Sequence, residues 1–233
     1  ANGLTTLTFG SAAGIDLQAV TISGPLTTTS ALTGPFIADG TVSVGSLDVE
    51  GTTFTFNGGL FSTGGVSITN SGLLTLIGGL TTNGAIEITG PALLGGVFDS
   101  TDNTIELGGA VTLTTDSEFD AGTSTFTLGG AASIDTDGNA LTLTADNMAL
   151  DAGSDSITSG GDGGTVLIQP ATATRGIALS SPSVNPSSGF LELSTSEVAS
   201  LADGFDSVTF GRADGRHEIR VGTLTFRDPI TIR

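Results

Sequence analysis

The sequence predicts an all-β chain wound as a right-handed parallel β-helix, a β-solenoid with coils of about 20 residues. Three observations carry that prediction: apolar residues fall in period-two pairs, Gly-rich pairs punctuate them, and segments repeat at fixed shifts. All three act together, because a short two- or three-stranded unit cannot bury its own apolar face and must stack on its neighbours.

The pairs come first. Val42 and Val44, Phe54 and Phe56, Val66 and Ile68, Ile86 and Ile88, Ile105 and Leu107, and Phe126 and Leu128 alternate with polar residues. The pattern continues through Leu141 and Leu143, Val166 and Ile168, Ile177 and Leu179, Leu191 and Leu193, and Val208 and Phe210. Such residues are largely β-branched or Phe with Thr between them, which suits strands buried on one face. Gly-Gly, Asp-Gly, Asn-Gly and Ser-Gly pairs separate the bursts and supply turn conformations. Only Ser194 to Leu201 (STSEVASL) reads as helical, and it is short.

The repeats set the period. Residues 53–70 align with residues 73–90 at a shift of 20, matching Thr55, Gly58, Gly59, Leu60, Gly64, Ile68 and Thr69. Residues 98–109 (FDSTDNTIELGG) align with residues 119–130 (FDAGTSTFTLGG) at a shift of 21. Residues 150–161 (LDAGSDSITSGG) align with the second of these at a shift of 31, as if one strand and turn had been inserted. Division of 233 residues by the period predicts about 11 coils, a rod on the order of 50 to 55 Å long at about 4.8 Å per coil. Parallel crossovers favour the right hand, and the hexapeptide pattern of left-handed helices is missing. An antiparallel sandwich or barrel would also give short, evenly spaced strands, but its strands need not resemble one another. The whole chain, 1–233, reads as a single β-solenoid domain in which 190–233 forms more divergent, Arg-bearing terminal coils.

Composition fits this architecture. Gly, Thr and Ser number 36, 38 and 24 of 233 residues, which suits corners and outward ladder positions. Leu, Ile, Val and Phe number 64, enough to build a core and to set disorder aside. With no Cys, Trp, Tyr or Lys, one His and one Met, the chain holds no disulfide framework, thiol nucleophile, Cys/His zinc cluster or Schiff-base lysine. A net charge of −18 opposes binding to nucleic acid and anionic lipid, which need clustered Lys and Arg. Apolar stretches such as Leu73 to Ile77 are too short to span a bilayer, and no membrane insertion is expected. The start at Ala1, without Met or a signal-like segment, reads as a mature or excised piece of an exported protein. Acidity, abundant Thr and Ser and absence of Lys point to an extracellular or cell-surface location.

The short strand repeats rich in Thr, Gly and Leu resemble the filamentous-haemagglutinin-like β-helix shafts of very large bacterial exoproteins, including adhesins exported by two-partner and autotransporter routes. The stretch from Phe190 to Arg233 is similar to a segment recurring in giant surface β-repeat proteins. It has a turn with Leu201, Asp203, Gly204 and Phe205, then Gly211, Arg212, Asp214 and Gly215 closing a strand, then Asp228 and Pro229. No Asn-Pro-Asn-Leu secretion motif stands near the start, so the likeness is to shaft and not to export module. It implies an exported surface or fibre protein, and names no receptor.

Parallel β-helices also host polysaccharide lyases and hydrolases. Such a site calls for paired carboxylates, aromatic platforms and basic residues, yet Trp and Tyr are absent and no positive charge precedes Arg175. His217, the sole histidine, reads as an exposed strand residue, not a triad member. No catalytic residue, cofactor site or cofactor is expected. Asp135, Asp137 and Asn139 (DTDGN) present oxygens at alternate positions, a weak calcium pattern without the bidentate Glu that completes such loops. Gly160 to Gly164 (GGDGG) lacks the nonapeptide calcium pattern and reads as a corner. Thr53, Thr55, Thr123, Thr125 and Thr127 suggest ladders, interrupted by Ser, Glu and Asp.

Charge polarity is the most informative functional signal. Residues 1–174 carry 17 acids and no base, whereas Arg212, Arg216, Arg220, Arg227 and Arg233 crowd the last 22 residues, which sum to +2. These five arginines are the expected assembly interface: a basic end meeting an acidic body gives a head-to-tail contact that propagates. The expected function is a non-enzymatic structural exoprotein: a surface fibre, adhesin shaft or extracellular filament built by end-to-end stacking. Its expected partner is another copy of itself or the continuation of a longer chain. An adhesive module that recognises a glycan or protein through lateral loops is the alternative.

Overall fold

A computed structural model describes residues 5–10, 13–29, 31–161, 163–179, 189–216 and 218–233. The chain is an all-β parallel solenoid of about 10 coils of roughly 21 residues, almost without helix. Ladders run parallel along the whole rod, from the first coil to the last.

Each coil contributes three short strands, and like strands stack into three faces. The first face starts with Leu7–Phe9, Pro25–Thr28, Ser46–Gly51, Val66–Asn70, Ile86–Ile88 and Ile105–Leu107. The second starts with Ile15–Leu17, Phe36–Ala38, Phe54–Phe56 and Leu74–Leu76. The third starts with Val20–Thr21, Val42–Val44, Leu60–Ser62 and Leu80–Thr82. Farther along, the long strands Ala92–Asp99, Ala110–Leu128 and Leu141–Leu150 bend round corners and serve two or three faces. All the alternating pairs that the sequence marks out point inward and are buried.

Aromatic rings fill the interior in runs. Phe98 stacks on Phe119 with centroids 4.9 Å apart, and Phe119 meets Phe126 at 5.7 Å. Phe36 likewise contacts Phe54 and Phe56 at 5.9 and 5.5 Å. Corner hydroxyls explain part of the Thr and Ser content. The buried Ser62 and Thr82 hydroxyls donate to the carbonyls of Gly45 and Gly64 and accept from the amides of Gly64 and Gly84, so they satisfy corner backbone that the ladders leave over.

The repeated Gly-Gly pairs have a steric cause at the corner between the second and third faces. A Cβ added to Gly78 would lie 2.6 Å from the carbonyl carbon of Gly58 in the coil below. At the corner of Gly160, Gly161, Gly163 and Gly164 the cause is conformational, since all four have φ between +69° and +90°.

Register confirms two of the three repeat shifts and corrects the third. Thr55 pairs with Thr75 and Leu60 with Leu80, a shift of 20. Phe98 pairs with Phe119 and Leu107 with Leu128, a shift of 21. The shift of 31 is not a register: Leu128 pairs with Leu150 and Ile134 with Ile157, shifts of 22 and 23. Similar Asp-Ala-Gly corners on different faces produce that alignment. Among the strands up to Gln169 the spacing between stacked partners ranges from 18, for Val42 and Leu60, to 25, for Leu141 and Val166, and it jumps to 42 between Val166 and Val208.

Stacking order breaks once. After Thr165–Gln169 the chain forms Gly176–Leu179, which lies between Phe190–Leu193 and Ile219–Val221 in a separate three-stranded sheet. Phe190–Leu193 packs on Leu141–Leu150 below, although no ladder joins them. The first face therefore holds one strand more than the third. On the third face, Ser207–Phe210 bonds directly to Ile230–Ile232. On the second face, Leu201 bridges down to Ile157 and no strand follows it among the described residues.

The helix expected around Ser194 is a single turn, Thr195–Val198. Ser194 and Glu197 form a capping box, with bonds of 3.2 and 2.8 Å. The turn sits at the corner between the first and second faces.

Candidate functional site at the carboxy-terminal end

The five expected interface arginines fall into two groups. Arg212 forks onto Asp214 at 2.9 and 3.1 Å, while its remaining Nη1 donates to the carbonyls of Pro170 and Ala171. Its side chain is only 22% exposed, so it ties two stacked corners together. Arg220 forks onto Glu218 at 2.8 and 3.1 Å and lies 4.2 Å above the Phe190 ring. That fork holds the Glu218 carboxyl below its usual range and raises Arg220 further. Arg227 pairs with Asp155, 72 residues earlier. Arg212 and Arg227 stitch the last coils to the body, and Arg220 ties two terminal strands to each other.

Arg216 and Arg233 are exposed, and neither makes an ion pair among the described residues. They remain as the outward charges of this end. Local spacing in the sequence carries part of this division. Glu218 and Arg220 sit two apart at a strand, hence on one face and within reach, whereas Arg212 and Asp214 are brought together by a turn that the Gly215 amide closes on the Arg212 carbonyl. The carbonyls that receive Arg212 lie more than 40 residues upstream, and no spacing rule points to them.

Both end coils expose ladder edges. Among the described residues, Leu7–Phe9, Ile15–Leu17 and Val20–Thr21 pair only with the coil above. Leu7, Phe9, Ile15 and Leu17 are half-buried against the core. At the other end, Ile219–Val221 and Ile230–Ile232 pair, among the described residues, only with strands below, and Val221, Ile230 and Ile232 are exposed by 47%, 38% and 39%.

The calcium-like residues do not converge. Asp135 accepts the amide of Asp137 at 3.1 Å, and the Asn139 side-chain amide donates to the carbonyls of Leu113 and Thr136. Asn139 thus serves the corner with its nitrogen, and no metal-holding group of acids or histidine occurs among the described residues. Asp120 lies in register with Asp99 near Asp102; partial burial, then the neighbouring carboxylates, raise its pKa. His217 lies outside the described residues. Threonines form no uniform rank: one outward column of the first face reads Thr8, Thr27, Asp48, Ser67, Glu87, Glu106, Thr127.

The fold defines a parallel β-solenoid whose first and last described coils carry apolar strands unpaired on one edge among the described residues. No family model, curated protein or solved structure matches the chain.

Proposed function

We propose that the protein is a non-enzymatic structural exoprotein, a stiff rod that stacks end to end within a surface fibre, adhesin shaft or extracellular filament. In this reading it is akin to the filamentous-haemagglutinin-like β-helix exoproteins and acts at or beyond the cell surface. The carrying observation is the pair of complementary ends. Because every coil runs in one sense, the free edge of Ile219–Val221 and Ile230–Ile232 can continue as a parallel ladder into Leu7–Phe9 and Val20–Thr21 of the next copy. Backbone bonds and burial of half-exposed Leu, Ile, Val and Phe then supply cohesion, and Arg216 and Arg233 supply attraction for an acidic neighbour.

Negative-stain microscopy of the 233-residue chain tests this. Regular filaments are expected at low salt, and an Arg216→Glu/Arg233→Glu variant should shorten them without unfolding the protein. Monodisperse short rods at every concentration would sink the stacking reading. The adhesive alternative is favoured by Phe61, Ile77 and Val97, exposed by 48%, 46% and 51% on three successive coils beside one corner. Binding to a glycan or protein array that is lost on Phe61→Ala, with no filaments, would select it.

A further inference from the structure

The carboxylates of the body are unevenly shared among its faces. Residues 35–114 carry seven acids: Asp48, Glu50, Glu87 and Glu106 project from the first face, Asp99 belongs to the third, and Asp39 and Asp102 sit at corners. The outward residues of the second face over the same span are uncharged. Its middle column reads Ile37, Thr55, Thr75, Leu93, Thr112, and the column beside it reads Pro35, Thr53, Leu73, Pro91, Ala110. Asp16 stands in the middle column one coil before this window, and Asp135 one coil after it. Every residue of the window is among those described, and Leu73 at its centre is 42% exposed.

We propose that a second copy of the chain lies against this neutral window, face to face and antiparallel, about a two-fold axis through the coil of Leu73 and Thr75. Charge selects the face. In a chain of net charge −18, two copies meeting through the first or third face would set carboxylate columns against each other, a cost that is missing here. Size selects the direction. The two-fold sets Ile37 against Thr112, Leu93 against Thr55 and Pro35 against Ala110, each time a larger residue against a smaller one. It sets Pro91 against Thr53, of like size, and Leu73 and Thr75 on their own counterparts. A parallel pair would instead press Ile37 on Ile37 and Leu93 on Leu93 and leave gaps at the threonines between them.

The bordering acids fix the register. A slide by one coil presses either Asp135 onto Ile37 or Asp16 onto Thr112, whereas in register the two acids meet only at the solvated rims. Equal coil spacing lets the rows mesh over all five coils, which a partner without this repeat cannot match. At about 4.8 Å per coil and about 3.3 Å per residue, the window gives each copy a footprint of roughly 400 Å². That extent belongs to weak, reversible pairs. The contact is lateral and independent of end-to-end stacking.

The chain has no cysteine, so introduced cysteines report the contact. With bismaleimidoethane, Thr75→Cys should link into dimers at least tenfold faster than Ser67→Cys on the acidic first face. Ile37→Cys mixed with Thr112→Cys should link at least tenfold faster than either alone. Leu73→Asp, which sets like charges on the two-fold at an exposed position, should weaken self-association at least tenfold in sedimentation equilibrium. End-to-end filaments would not mimic these results, because stacking leaves residues 37, 75 and 112 of successive copies a rod length apart. Equal linking of Thr75→Cys and Ser67→Cys, linking of Ile37→Cys alone as fast as in the mixture, or an unchanged association constant for Leu73→Asp would overturn the proposal. So would a Thr75→Cys chain that stays monomeric yet floats with phosphatidylcholine vesicles, which would give the face to lipid. Should Leu73→Asp fail to fold, the cysteine pairs still decide the matter.

Discussion

In the first eight coils each strand lies on the strand one coil earlier in sequence, and the surface charge is almost all carboxylate. Beyond Pro170 the order of strands is exchanged, one face gains a strand, and arginines enter. The two regions are held by different forces. The body depends on columns of buried Phe, Leu, Ile and Val with hydroxyls finishing the corners. At the end, where Ile219–Val221 and Ile230–Ile232 are largely exposed, Arg212, Arg220 and Arg227 replace missing apolar contact with directed bonds. Arginine suits that task, since five fixed donors can hold a carboxylate and backbone carbonyls at once.

Substitutions can break or sharpen this contrast. Phe119→Ala should have the largest effect, about 3 to 5 kcal/mol lost in urea unfolding, because it removes the ring between Phe98 and Phe126. Arg212→Ala should cost about 1 to 3 kcal/mol by stranding the carbonyls of Pro170 and Ala171. Its faster hydrogen exchange should be confined to residues 165 onward, and equal loosening of the first eight coils would abolish the distinction between the regions. Arg227→Ala should cost no more than about 1 kcal/mol, a loss that vanishes in high salt, as befits a half-exposed pair.

Asp120→Asn should be the mildest and should stabilise. The raised native pKa means that folding disfavours the carboxylate, a penalty absent at low pH that sets in as pH rises through the native value. Asparagine keeps an oxygen for the Gly122 amide. A gain in Tm of about 1 to 2 °C is expected at pH 7 and none at pH 3. A gain at both values would assign the effect to something other than charge.

Much of the body was legible because each cause is local. Alternation in Phe54 and Phe56 or Ile86 and Ile88 reports burial on one face, and the repeated Gly58-Gly59 and Gly78-Gly79 report one crowded corner. The exchange of strands was not legible. Ile177 with Leu179 and Leu191 with Leu193 alternate like any other pair, and alternation says which face is inward but nothing of which strand lies beneath. The end of the second-face ladder at Leu201 was hidden for the same reason, since it depends on which strand each coil sets beneath the next. The arginines stood out as a cluster, but their division into ties and outward charges depends on partners such as Asp155, brought near only by winding.

The spacing between stacked partners also describes the girth of the rod. On the third face it is 22 from Val20 to Val42, 18 from Val42 to Leu60, 25 from Leu141 to Val166, and again 22 from Val208 to Ile230. The contour narrows to a waist and swells, is interrupted by a step of 42 from Val166 to Val208 where the strand order is exchanged, and in the last turn of this face is 22 again. Stacked as proposed, two rods would meet on the third face through turns of 22 residues each, so the seam on that face would demand no change of calibre where the polymer passes from one molecule to the next.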